Sequence, residues 1–239
     1  MTDTPIALEP RTGAELAVHE LIREDIITGH LRPNERLKVS DLARRHGVST
    51  SPVREALQML RGEGFVVMNM NRGARVRPID EAFIRNIYEV ETVIEPYLLR
   101  NFMQLVTEEQ IVELERIQSE IERNDFADSK RHRDLDFEFH LVTYGRHYNT
   151  HALELWQKHR DILGAIGDRY PIALGRRKTV LREHRELLAA IRDQDIDTAC
   201  TVIARHAEGS GKHTIEQMRT HSDAQAGSPP RIRAATTRA

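Results

Sequence analysis

Apolar residues recur at helical spacing along most of this chain, and the places where that rhythm fails are short. A first stripe, Val18, Leu21, Ile22 and Ile26, predicts a helix ending near Gly29 and Pro33. Short helices are predicted from Asp41 to His46 and from Ser51 to Arg61. Residues 65–77 then leave the pattern. Phe65-Val66-Val67-Met68 and Ala74-Arg75-Val76-Arg77 read as two strands around a turn at Asn71-Arg72-Gly73. Pro78 and Asp80 punctuate the chain, which places a boundary between a domain at 13–78 and a second at 79–220. Beyond it the spacing is helical throughout, with helices over 80–103, 128–147, 150–168, 176–193 and 195–218. Thr107-Glu108-Glu109-Gln110 forms a capping box ahead of Ile111, Leu114, Ile117 and Ile121. The polar, aperiodic ends, 1–12 and 221–239, are expected to be disordered. The expected fold is therefore mainly α, an N-terminal winged helix-turn-helix followed by an all-helical antiparallel bundle.

The chemistry of the turn sharpens the first half of that reading. In Leu42-Ala43-Arg44-Arg45-His46-Gly47-Val48-Ser49, Ala43 is small where two helices would cross and Gly47 permits the tight turn. Ser49, Thr50 or Ser51 can cap the next helix, and Pro52 fits its first turn. On that helix Val53, Leu57 and Leu60 share an inward face, while Thr50, Arg54 and Arg61 lie opposite. Thr50 and Arg54 sit near the end that reaches base edges in a major groove, where arginine suits guanine and phosphate. Arg44 precedes the turn, and Arg72-Gly73 would form the tip of a wing beside the helix.

Taken as a whole, composition opposes a nucleic-acid partner, because 35 Lys and Arg against 37 Asp and Glu leave a net charge of -2 over 239 residues. The sum conceals a cancellation. Residues 36–77 hold nine bases and three acids, a local +6, whereas residues 80–139 hold seven bases and sixteen acids, a local -9. Phosphate attraction acts over about a Debye length, roughly 10 Å, so the local patch governs contact with DNA. A single cysteine, Cys200, excludes an intramolecular disulfide and a Cys-rich zinc module. No apolar run approaches the ~20 residues of a membrane span, and residues 1–12 lack a signal-peptide pattern. A soluble cytoplasmic protein without a membrane partner is expected.

Val48-Ser49-Thr50-Ser51-Pro52-Val53-Arg54-Glu55-Ala56-Leu57, with Leu60 and Gly64-Phe65-Val66, resembles the N-terminal domain of GntR-type bacterial transcription regulators over about residues 14–78. The resemblance implies that Arg54 is the main recognition-helix arginine and that Arg72-Gly73 is the wing tip. Thr50 stands where an arginine is common, which implies a different operator preference.

In the second half, three predicted helices each carry polar metal-type ligands on an otherwise apolar face. Asp136 and His140 lie one turn apart beside Phe139. His184 falls on the stripe of Leu187, Leu188 and Ile191, and His206 on that of Ala199, Val202 and Ile203. Periodicity alone does not select this set. His132 sits four residues before Asp136, and His213 lies one heptad after His206. A buried histidine can also be a hydrogen-bonded core residue. Residues 80–218, however, resemble the helical effector-binding (FCD) domain of the FadR-type branch. Its metal-binding members use an Asp-x3-His pair and two later histidines, which implies Asp136, His140, His184 and His206 here. Three imidazoles and a carboxylate suit Zn, Ni, Mn or Fe. Glu91, in Val90-Glu91-Thr92-Val93-Ile94-Glu95, stands where many relatives carry an arginine, and it would repel an anion. Asn149 is a candidate either for the lining of an effector pocket or for a helix cap.

These readings converge on a homodimeric, ligand-responsive regulator, expected to be a repressor. It would bind double-stranded operator DNA through the winged domain, and a divalent metal with a small carboxylate-type effector through the helical domain. Two alternatives use the same residues. One is a regulator that senses the metal itself, and the other is a metalloenzyme. Against the enzyme, no general base or nucleophile stands out beside the ligand set, and the DNA-binding half would go unused.

Overall fold

The computed structural model describes residues 13–69, 73–167 and 169–226. Among them the elements run α1 (Gly13–Ile27), β1 (Arg36–Leu37), α2 (Val39–His46), α3 (Thr50–Glu63), β2 (Val66–Asn69), β3 (Gly73–Val76), α4 (Glu81–Leu105), α5 (Glu108–Asn124), α6 (Ser129–Tyr144), α7 (Thr150–Ile166), α8 (Leu174–Arg192) and α9 (Ile196–Ala226). The chain packs as two units. One contains the residues through Phe83 together with His147–Arg169, and the other contains Ile84–Arg146 and the chain from Tyr170 onward.

The first unit forms around the inward faces that periodicity picks out. Ile22, Val53, Ala56 and Leu60 are fully buried, with Val18, Ile26 and Leu57 around them. Leu21 departs from the expected stripe. It is 50% exposed, and His19 takes the inward position, its Nε2 2.6 Å from Glu63 at the end of α3. A histidine–carboxylate contact between α1 and α3 therefore takes a place that an apolar pattern could not announce. Gly47 closes α2 in the left-handed region, φ 67° and ψ 31°, and its amide donates to the Ala43 carbonyl. Nothing lies within 4 Å of a Cβ built there, so substitution strains only the backbone. Gly47→Ala is expected to cost about 1–2 kcal/mol, read as a lower denaturant midpoint for the first unit. An unchanged midpoint would show that the turn does not need this conformation.

The three strands form an antiparallel sheet in the order β1-β3-β2. Leu37 pairs with Ala74 and Val66 with Val76, all four buried, while Arg36 pairs with Arg75 on the other face. The two-residue strand β1 is too short to show period-2 alternation and was not expected.

α7 lies within the 79–220 stretch expected to be the helical domain; its residues group with the first unit, where α7 contacts α3 and Arg169 Nη1 donates to the Ile27 carbonyl at 3.1 Å, and its Trp156, Ile162 and Ile166 are buried. The expected C-terminal tail began at residue 221, but α9 continues to Ala226. Residues 1–12 and 227–239 lie outside the described residues.

The second unit is all helix. Ile84, Leu98 and Leu99 of α4, Leu114, Ile117 and Ile121 of α5, Phe139 of α6, Leu187 and Ile191 of α8 and Ile203 of α9 make its core. The capping box opens α5 as its sequence requires: Thr107 Oγ1 accepts from the Gln110 amide at 3.4 Å, and Gln110 Oε1 accepts from the Thr107 amide at 3.0 Å. Among the described residues, no helix is long and apolar enough to cross a membrane.

Candidate functional site

Within the second unit, α6 carries Asp136 and His140 one turn apart, α8 carries His184, and α9 carries His206. One donor atom from each lies within 4.8 Å of the others. Asp136 Oδ1 is 3.6 Å from His184 Nε2 and 4.0 Å from His140 Nε2, and the His184 and His206 rings are 4.9 Å apart. Four donors each about 2.1 Å from one ion in a tetrahedral site stand about 3.4 Å apart, so the widest pair would have to close by about 1.4 Å to hold an ion. Burial is deep: His140 is fully enclosed and His184 is 1% exposed. Phe139 stacks on His184 at 4.6 Å with ring planes 2° apart, which fixes the plane of that imidazole.

The surrounding hydrogen bonds decide which nitrogen each ring presents. Gln118 donates its Nε2 to Glu122 at 2.9 Å, so its Oε1 is left to accept from His184 Nδ1 at 3.0 Å. The proton is thereby on Nδ1, and Nε2 keeps its lone pair. That Nε2 is buried and has no hydrogen-bond partner among the described residues. His206 Nδ1 donates to Glu183 Oε2 at 3.0 Å, the carboxylate–imidazole arrangement that orients metal-binding histidines. Glu95 Oε2 lies 4.0 Å from His140 Nδ1 and accepts from the Tyr144 hydroxyl at 3.2 Å. Burial, then the neighbouring His206, pulls the His184 pKa down to about 3, against the opposing pull of Asp136. The ring is neutral at physiological pH, the form that binds a metal. Burial works against the Glu183 carboxylate, but hydrogen bonding and charge from His206, with Arg176, outweigh it and lower its pKa. The donor set and its support fit a divalent transition metal held by Asp136, His140, His184 and His206.

His132 and His213 fall outside this donor set. His132 rests on the Phe126 ring at 4.0 Å, and His213 Nε2 accepts from the Ala173 amide at 3.2 Å. Gln118, Glu183 and Glu95 escaped the reading of the sequence, although each is a polar residue on an otherwise buried helix face. That mismatch was their available signal. Asn149 is the N-cap of α7 in the first unit, its Oδ1 accepting from the Ala152 amide at 3.1 Å.

The helix-turn-helix presents a different surface. Ser49 occupies the N-cap position of α3 without a side-chain cap bond, and Thr50 and Ser51 are exposed in its first turn. Arg54 is exposed and has no ion pair among the described residues. Arg44 is held by Asp41 at 3.1 Å and Arg45 by Asp25 at 2.9 Å. Gly73 opens β3 with φ 74°; Arg72 lies outside the described residues. Arg36 and Arg75 face each other across β1 and β3. Arg36 Nε is 4.0 Å from a Cβ built at Gly73, and Arg75 Nη1 donates to the Asn34 carbonyl at 2.7 Å.

Comparison with known proteins matches this division of labour. Residues 14–76 match the family of bacterial regulatory proteins, gntR family, and residues 86–209 match the FCD domain. The chain is 25% identical over 225 residues to the HTH-type transcriptional repressor RspR of Escherichia coli, covering 90% of this chain and 95% of that protein. It is 26% identical over 193 residues to the Nta operon transcriptional regulator of Aminobacter aminovorans, covering 81% and 90%. Among solved structures it resembles Lar, which controls expression of the Listeria monocytogenes agr system, with a TM-score of 0.66, 22% identity, and coverage of 89% of this chain and 99% of that one. These relatives are transcriptional regulators, not enzymes.

Proposed function

This chain belongs to the bacterial gntR family of regulatory proteins and carries an FCD domain, and from that premise we propose a cytoplasmic, ligand-responsive repressor with a metal-dependent effector site. As a DNA-binding transcriptional regulator it reads its operator through α3. In the proposed mode Arg54 contacts a base edge, Thr50, Ser49 and Ser51 line the same groove, and Arg44, Arg72 and Gly73 meet the backbone. Arg36 and Arg75 add phosphate contacts on the wing, where two like charges directly opposite each other would otherwise be unfavourable. The observation that carries the effector half is the buried set of Asp136, His140, His184 and His206. Four protein ligands leave room on a five- or six-coordinate ion, and the metal would supply a Lewis-acid contact for a small carboxylate. Binding there shifts operator affinity only as far as the effector distinguishes DNA-competent from incompetent arrangements.

A homodimer suits a two-fold operator. Val90, Val93 and Tyr97 share one exposed face of α4, Val93 at 73%, a stripe that a second copy would cover.

The test is a thermal-shift screen of small carboxylates and sugar acids, with and without chelator. Stabilisation by one compound, lost on chelation, is the expected result. Stabilisation that survives chelation would detach the effector from the metal. A second reading, in which the metal is itself the signal, draws support from the buried carboxylates of Glu91 and Glu95 on α4, which disfavour an anion. It predicts no stabilising compound, loss of operator binding on chelation, and recovery on adding metal alone.

A further inference from the structure

Arg176, near the start of α8, is an arginine with only 9% of its side chain exposed, and its bonds converge on a single metal-ligand candidate. Its Nη1 pairs with Glu183 Oε2 at 3.0 Å, the same oxygen that accepts from His206 Nδ1 at 3.0 Å. Its Nη2 donates to the main-chain carbonyl of His206 at 2.8 Å and to Ser210 Oγ at 2.9 Å. One guanidinium therefore grips both the backbone of His206 and the carboxylate that orients its ring. The neighbouring helix is shaped to admit it. A Cβ at Gly209 would fall 2.7 Å from Arg176 Nη1, 3.0 Å from Cζ and 3.2 Å from Nη2, so the guanidinium occupies the space a side chain there would need.

The other two rings are supported differently. His184 relies on the neutral amide of Gln118, and Glu95 stands 4.0 Å from His140. At His206 the supporting group is itself fixed by a buried, permanently charged fork, which holds a carboxylate in a defined plane. Left alone, buried Glu183 could rotate or take up a proton, and His206 would lose both its tautomer and its orientation. We propose that Arg176 is a positioning residue for the metal centre, acting through Glu183 to hold His206 Nδ1–H and so present Nε2 to the ion. The proposal rests on the reading of Asp136, His140, His184 and His206 as metal ligands.

The test is competitive titration of the full-length protein with Zn2+ against a chelating dye, on wild type, Arg176→Met, Arg176→Lys, Glu183→Gln, Gly209→Ala and the Arg176→Met/Glu183→Gln double variant. Arg176→Met is expected to weaken Zn2+ binding about 10- to 100-fold, the range for loss of an outer-shell partner. Glu183→Gln should do the same, the double variant should be no weaker than Glu183→Gln alone, and Arg176→Lys should recover part of the loss. Gly209→Ala, which displaces the guanidinium without removing its charge, should reproduce the defect and covers the case in which Arg176→Met fails to fold. Unchanged affinity in the folded variants, or losses that add in the double variant, would overturn the proposal. Absence of Zn2+ binding by the wild type would instead overturn the ligand assignment itself.

Discussion

Replacing His184 with alanine is expected to strip the metal from the helical unit and to lower its melting temperature by roughly 8–16 °C. A ligand present at a thousand times its dissociation constant stabilises by about 4 kcal/mol, and in a chain of this size each kcal/mol moves the midpoint by about 2–4 °C. The electrostatics point the same way. The carboxylates of Asp136, Glu183 and Glu95 surround the cluster, and Arg176 is the cation paired with Glu183. Losing a bound divalent ion would leave these carboxylates without its positive charge. The substitution also removes the ring that stacks on Phe139, so lost packing must be separated from lost metal. Chelator makes the separation, because the wild type should fall on chelation and His184→Ala should not respond to it. Metal content measured after purification provides the second readout. If His184→Ala retains metal and still responds to chelator, the ion is held elsewhere, and His132 and His213 become the ligands to test.

The metal-ligand candidates were legible because each broke a pattern. Asp136, His140, His184 and His206 are polar residues on helix faces that are otherwise apolar, and the family resemblance chose them from a chain with twelve histidines. The same signal marked Gln118 between Ile117 and Ile121, yet it went unread because glutamine is rarely a ligand. Its role appears only once α5 is placed against α8. Arg176 gave no signal at all. It sits among Arg177 and Lys178 and looks like part of a solvated basic run until Gly209 and Glu183 are brought beside it.

The fold shows a similar limit. Periodicity located α7 but not what it packs against, and its residues group with the first unit. Boundaries moved for local reasons. α2 begins at Val39 rather than Asp41, because Lys38 already takes the extended conformation of an N-cap. α3 runs to Glu63 because Gly64, with φ 94°, supplies the left-handed residue that ends it.

Arg54→Ala should weaken operator binding by about 1–3 kcal/mol, or roughly 5- to 150-fold, with little effect on folding. The folding half follows from exposure. Arg54 makes no ion pair among the described residues, and an exposed arginine in a helix can become alanine within about 0.5 kcal/mol. The binding half follows from the charge balance of the surface. Arg44 and Arg45 are already partly neutralised by Asp41 and Asp25, whereas Arg54 can engage DNA without first breaking an internal pair. A suitable probe is the duplex that the wild-type protein selects from a randomised pool. If Arg54 reads a base, the loss should be concentrated on that selected duplex, and discrimination at one position should relax while the salt dependence changes little. A phosphate contact would instead weaken binding to all sequences alike and reduce the salt slope by about one. Arg36→Ala provides the internal comparison, because its place on the wing predicts that second behaviour. An unchanged isotherm for Arg54→Ala, on both selected and random duplexes, would remove this arginine of α3 from the recognition surface and shift operator reading to Thr50 and the wing.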